Sequence, residues 1–182
     1  MAVLVEGISV VVRRPRIAEC YPRGWDEFLA DVPNRTLCAD PDLARVGFMT
    51  PADAKGFVAL LGRRGLEFLR DGRALDLCVV DQLKGPTVPC DWLDCGTVVV
   101  DGHTLAACQV KGSQGRILSC PDGWSFAGSL SASPAFVPFG QASERLVRLA
   151  VDDTGVEAYL DLGTGRERYI GRMDPSADLE AQ

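Results

Sequence analysis

The sequence predicts an α+β fold. Two helices pack on a mostly antiparallel sheet, and the carboxyl-terminal half is nearly all β. Three observations carry this. The stretch Val46–Asp81 reads strand, helix, strand. The amino-terminal third alternates apolar strand patterns with helical spacing. Beyond residue 90, short β-branched runs follow one another, separated by Asp-Gly and Gly-rich turns. At 182 residues, one domain over 1–173 with a frayed acidic tail over 174–182 is the simplest division.

The helix after Val46–Phe48 has the clearest signals. Thr50 is placed to cap it, Pro51 suits its first position, and Asp53 favours its positive start. Ala54, Phe57, Val58 and Leu61 recur at i, i+3, i+4 and i+7, one apolar stripe. Arg63 and Arg64 suit the negative end, and Gly65 stops the helix. Leu66–Leu69 and Ala74–Asp81 flank Asp71-Gly72, a hairpin signal. Leu75–Val80 is apolar throughout except for Asp76, as a central strand covered on both faces would be.

The remaining elements follow in order. Val3–Val12 reads as a first strand interrupted by Gly7. Arg13, Arg14 and Arg16 form the only basic cluster and read as a solvated turn. Ile17–Tyr21 and Gly24–Asp31 read as one helix broken at Pro22 and Gly24, with Trp25, Phe28 and Leu29 in the core. Thr36–Ala39 is a short strand. Trp92–Val100 and Thr104–Lys111 pair around Asp101-Gly102, and Arg116–Cys120 adds a further strand. Ser125–Ser143 holds too many large apolar residues for a linker and reads as an ordered loop or cover. Arg145–Val151, Val156–Leu162 and Glu167–Gly171 are three closing strands.

Charge narrows the partners. The net charge is −6; residues 1–74 hold 11 basic and 10 acidic side chains, and residues 75–182 hold 8 and 15. That balance argues against nucleic acid. No apolar run reaches membrane length, and Val3–Val12 is too short and interrupted for a secretory signal. Seven scattered cysteines are expected as reduced thiols in a cytoplasmic protein.

No catalytic or cofactor motif stands out. There is one histidine, His103, on a turn. Cys90, Cys95, His103 and Cys108 match no common zinc spacing. Asp91 and Asp94 beside Cys90 and Cys95 work against a reactive thiolate. Asp76, Asp81, Asp91 and Asp94 offer carboxylates for acid–base work without a distinguishing pattern. Phosphate-cradling glycine loops and a nucleophile elbow are missing from the sequence. No metal and no cofactor are expected. The loop Asp81–Trp92 leaves the most buried strand carrying polar groups and an aromatic, so Asp81, Gln82, Asp91, Trp92 and Asp94 are the binding candidates, with Trp92 as a core plug. Two functions remain. One is an acidic interaction module, inhibitor- or immunity-like, for a basic partner protein. The other is a small-molecule binder or enzyme with its site near the 81–92 loop under the 125–143 loop.

Overall fold

The structure is a computed structural model that describes residues 1–115, 117–132, 146–151, 157–162 and 165–170. It begins with a corner. The expected first strand is two strands in different sheets, β1 (Ala2–Leu4) and β2 (Ile8–Arg13). Gly7 makes the break, at φ +58°. A Cβ there would lie 2.7 Å from the Phe48 carbonyl oxygen, so only glycine passes.

Three helices replace the expected two. Pro22 and Gly24 fully separate α1 (Arg14–Cys20) from α2 (Trp25–Asp31), with Gly24 at φ 58°, ψ −131°. α3 (Pro51–Arg63) follows β3 (Cys38–Ala39) and β4 (Leu43–Phe48) and starts as its sequence indicates. The Thr50 hydroxyl oxygen accepts from the Asp53 amide at 3.2 Å. In α2 Phe28 is buried and Trp25 stacks on it, but Leu29 turns outward.

β5 (Leu69–Arg70) and β6 (Arg73–Ala74) close around Asp71-Gly72, both at positive φ. β7 (Leu77–Asp81) and β8 (Gly85–Pro86) complete a five-stranded antiparallel sheet ordered β3-β4-β2-β7-β8. β2 lies in the middle, and β7 beside it is an interior strand buried along its whole length, as expected of a strand covered on both faces. The helix-facing side of β2, with Ile8, Val10 and Val12, joins Ala44, Val46, Leu77 and Val79 against Ile17, Phe28, Phe57 and Leu61. Burying each such side chain is worth roughly 1.5–3 kcal/mol.

The other face of that sheet is covered as well. Val11, Cys78 and Val80 pack on β1 and on the hairpin β9 (Leu93–Val100) and β10 (His103–Val110). This second sheet runs β11-β1-β10-β9, with β11 at Leu118–Ser119. Its β1–β11 pair is parallel. The single expected sheet is thus two sheets stacked beneath a helical layer. β12 (Leu146–Val151), β13 (Glu157–Asp161) and β14 (Arg166–Ile170) form a separate antiparallel sheet. Tyr159 of β13 is buried and donates its hydroxyl to Asp53 Oδ2 at 2.5 Å. The acidic tail 174–182 and residues 133–143 of the expected cover lie outside the described residues.

The basic cluster is not a solvated turn. Arg13 is the residue before α1, and Arg14 and Arg16 lie in its first turn. Arg14 donates to the Asp40 carbonyl at 2.7 Å and lies over the Trp25 ring at 4.3 Å. Arg16 donates to Asp76 Oδ1 at 2.8 Å. A carbonyl, a carboxylate and a ring within reach of the α1 start hold Arg14 and Arg16, and Arg13 lies over the Trp92 ring at 5.8 Å.

Candidate functional site

Strand β9 is where the candidate residues and the second sheet meet. It forms because the Asp101-Gly102 turn, at φ 49° and 79°, suits the twist of a two-residue hairpin. The pairs nearest the turn are His103 with Val100 and Thr104 with Val99, and the register runs without a slip to Val110 with Leu93. β9 ends its sheet, so its outer edge has no strand partner among the described residues.

The register decides which backbone groups point outward. Val100 and His103 flank the turn as a hydrogen-bonded pair, and such pairs alternate along an antiparallel ladder. Two bonds fix the same phase: the Lys111 amide donates to the Trp92 carbonyl at 2.9 Å, and the Val5 amide donates to the Ala106 carbonyl at 2.9 Å. Val98, Gly96 and Asp94 therefore bond inward to β10. Cys95, Thr97 and Val99 turn their N–H and C=O groups away from it. All three residues are exposed.

The five sequence candidates divide into two groups. Asp91, Trp92 and Asp94 come together at the start of β9. Asp91 is exposed and paired through both oxygens with Arg73, whose guanidinium lowers the Asp91 pKa against the opposing effect of burial. Asp94 is exposed, and its Oδ2 accepts from the Gly112 amide at 3.3 Å. Trp92 is half-buried against the second core and donates its indole N–H to the Ala74 carbonyl at 3.2 Å. Asp81 and Gln82 sit instead at the end of β7. Asp81 Oδ1 accepts from the Leu83 and Lys84 amides at 2.8 and 2.9 Å, and Gln82 Oε1 accepts from the Gly7 amide at 2.8 Å. Gln82 thus clamps the corner between β1 and β2.

A cleft of about 260 Å³ lies between Asp81, Gln82 and Lys84 on one side and Cys95, Thr97 and Cys108 on the other. Asp81 is 2% exposed, and its Oδ2 has no hydrogen-bond partner among the described residues. The described start of the 125–143 segment is tied close by. Ser131 donates from its amide and hydroxyl to Glu6 Oε1 at 3.1 and 2.7 Å. The four carboxylates considered for acid–base work each have their own partners; Asp76 accepts from Arg16 and from the Glu67 amide.

The cysteines are grouped in a way the sequence reading missed. Cys95 and Cys108 face each other across β9 and β10, with sulfurs 2.8 Å apart. The signal was available: both stand five residues outside the Val100–His103 pair. His103 lies an odd number of residues from Cys108 and so on the opposite face of β10; it stacks on Phe126 at 3.6 Å. The C-x4-C-x7-H-x4-C set therefore does not converge. Among the described residues no three His, Cys, Asp or Glu side chains meet where a metal would sit. Cys90 has a different neighbour, Cys78. The Cys78 thiol beside it leads in lowering the Cys90 pKa to about 7; burial and Asp91 oppose this, and the Trp92 and Leu93 amides assist it. Asp91 does work against the Cys90 thiolate, as expected, and is outweighed by the Cys78 thiol and the two amides.

No protein-family model matches the chain, and no curated protein or solved structure matches it either. No helix among the described residues is long and apolar enough to cross a membrane.

Proposed function

We propose that the chain is an interaction module that takes up an extended basic segment of a partner protein by adding it as a strand along β9. The observation that carries this reading is the open edge. Cys95, Thr97 and Val99 present backbone donors and acceptors with no partner strand among the described residues. An exposed strand edge of this length is a template for β-augmentation. Asp94 and Asp101 lie toward its two ends, both exposed, and the net charge of −6 favours a basic occupant. An inhibitor or immunity-like role in the cytoplasm belongs to the same proposal, with small size and acidity as its support. Nucleic acid and membrane are not partners in this reading.

The test pairs capture with a backbone change. Thr97 turns its N–H outward, so Thr97→Pro removes an edge donor while leaving the ladder to β10 intact. A basic protein held by the wild-type chain at low salt should be released at high salt and should not bind Thr97→Pro. Equal capture by Thr97→Pro, or no capture at low salt, would sink the reading.

A second reading has its own observation, the unpartnered Asp81 Oδ2 beside the 260 Å³ cleft. It makes that cleft a seat for a small molecule carrying an N–H or ammonium donor. Isothermal titration of small amines against wild type and Asp81→Asn checks it. Heat that Asp81→Asn leaves unchanged would remove Asp81 from the site.

A further inference from the structure

We propose that Cys95 and Cys108 form a redox-active dithiol that closes to a cross-strand disulfide by exchange with a low-molecular-weight disulfide. Three observations support it. The pair occupies a non-hydrogen-bonded position of the β9–β10 ladder. Directly opposite Cα atoms at such positions are about 4.5 Å apart, within the range that a disulfide spans without backbone movement. The two sulfurs are already 2.8 Å apart. The two thiols also differ in access, as the chemistry requires. Cys95 is exposed and Cys108 is 1% exposed, so one meets the oxidant and the other resolves the intermediate. The Cys95 sulfur and burial both push the Cys108 pKa upward, so Cys108 holds its proton until Cys95 has reacted.

The exchange balances as follows. Cys95, having lost its proton, attacks one sulfur of RSSR. A Cys95–S–S–R bond forms, the RS–SR bond breaks, and the leaving RS⁻ takes up the proton. Cys108 then loses its proton and attacks the Cys95 sulfur. The Cys95–SR bond breaks, and the second RS⁻ leaves as RSH. Two electrons pass from the protein to RSSR, giving one protein disulfide and two RSH. Nothing in this depends on strand addition at β9, although the product would tie the edge strand to β10 through side chains.

Oxidised glutathione is the probe, and peptide mapping after alkylation is the readout. In the wild-type chain Cys95 and Cys108 should lose alkylation together and appear in one disulfide-linked peptide pair, which reducing agent restores. In Cys108→Ser, Cys95 should accumulate as the glutathione mixed disulfide. The proposal is overturned if both cysteines stay alkylatable, if Cys95 stays glutathionylated in the wild type without closing, or if the disulfide maps to Cys78 and Cys90 instead. The wild-type mapping alone decides between these outcomes should Cys108→Ser fail to fold.

Discussion

Arg45 donates its Nε to Ser9 Oγ at 2.8 Å, beneath a sheet that leaves the arginine 1% exposed. The same guanidinium donates to the Thr36 carbonyl at 3.1 Å and the Glu6 carbonyl at 2.8 Å. It therefore ties β4, β2, the β1–β2 corner and the segment before β3 at one point. Arg45→Ala leaves those acceptors buried and short of a donor, at about 1–3 kcal/mol each. The expected loss is at least about 3 kcal/mol in urea unfolding. Arg45→Lys should recover little of it, since a single ammonium does not reproduce the guanidinium fork. A loss below about 1 kcal/mol for Arg45→Ala would show that the network carries little stability.

Arg45 also marks where sequence reading stops. A charged residue in an apolar strand reads as solvent-facing, and that inference holds when one sheet face is open. Here the second sheet closes that face, and the apolar pattern of Leu43–Phe48 does not announce it. Gly47 carries part of the same information, since a Cβ there would sit 2.7 Å from Arg45 Nη2. By contrast, α3 and the β9–β10 hairpin were legible, because a Thr-Pro cap and an Asp-Gly turn act within a few residues. Of the candidate site, the nearness of Asp91, Trp92 and Asp94 was legible from their adjacency in the chain, while the turn and corner bonds that Asp81 and Gln82 also make were not. The open β9 edge depends on sheet order, which periodicity does not encode.

Asp31 supplies a pH dependence. Its carboxylate accepts from Arg64 Nε at 2.7 Å, Arg64 Nη2 at 3.0 Å and the Tyr21 hydroxyl at 3.1 Å. The Arg64 hydrogen bond leads in lowering the Asp31 pKa, with burial opposing it. A depressed folded-state pKa contributes stability above the ordinary aspartate value of roughly 3.9 and loses it as pH falls through the folded value. The urea midpoint should fall on acidification below that range, and Asp31→Asn should flatten the fall. The exposed pairs Glu67–Arg70 and Asp91–Arg73 contribute in the same direction but are screened by salt. A slope that survives high salt in the wild type and disappears in Asp31→Asn isolates Asp31. Identical slopes in the two proteins would rule it out.

Trp92 is an anchor of intermediate kind. Its ring packs on the second core without full burial, and its N–H reaches the Ala74 carbonyl. A fully buried aromatic costs about 3–5 kcal/mol on truncation, so Trp92→Ala should cost about 2–3 kcal/mol. Trp92→Phe keeps most of the packing and loses one neutral hydrogen bond, about 1 kcal/mol. Thermal melts of the two variants should rank in that order. A Trp92→Ala protein that melts like the wild type would mean that the ring is there for a partner.

Cys90 should be the thiol that titrates first among those with a resolved shift. Its pKa near 7 comes chiefly from the Cys78 thiol beside it, which is itself held protonated by the same contact and by burial. An alkylating agent reacts with the thiolate alone, so the rate at Cys90 should reach half its plateau near pH 7, while an ordinary cysteine is still rising at about 8.5. Cys78→Ala removes the donor without adding another, and it should move the Cys90 midpoint up toward that ordinary value. Cys78→Ser keeps a hydroxyl donor in place and should hold the midpoint down. This contrast separates a hydrogen-bond cause from a change in burial, because both variants leave a side chain at Cys78 no larger than the original. Rates read residue by residue from alkylated peptides give the answer. A Cys90 midpoint that ignores both substitutions would place the cause in the Trp92 and Leu93 amides instead.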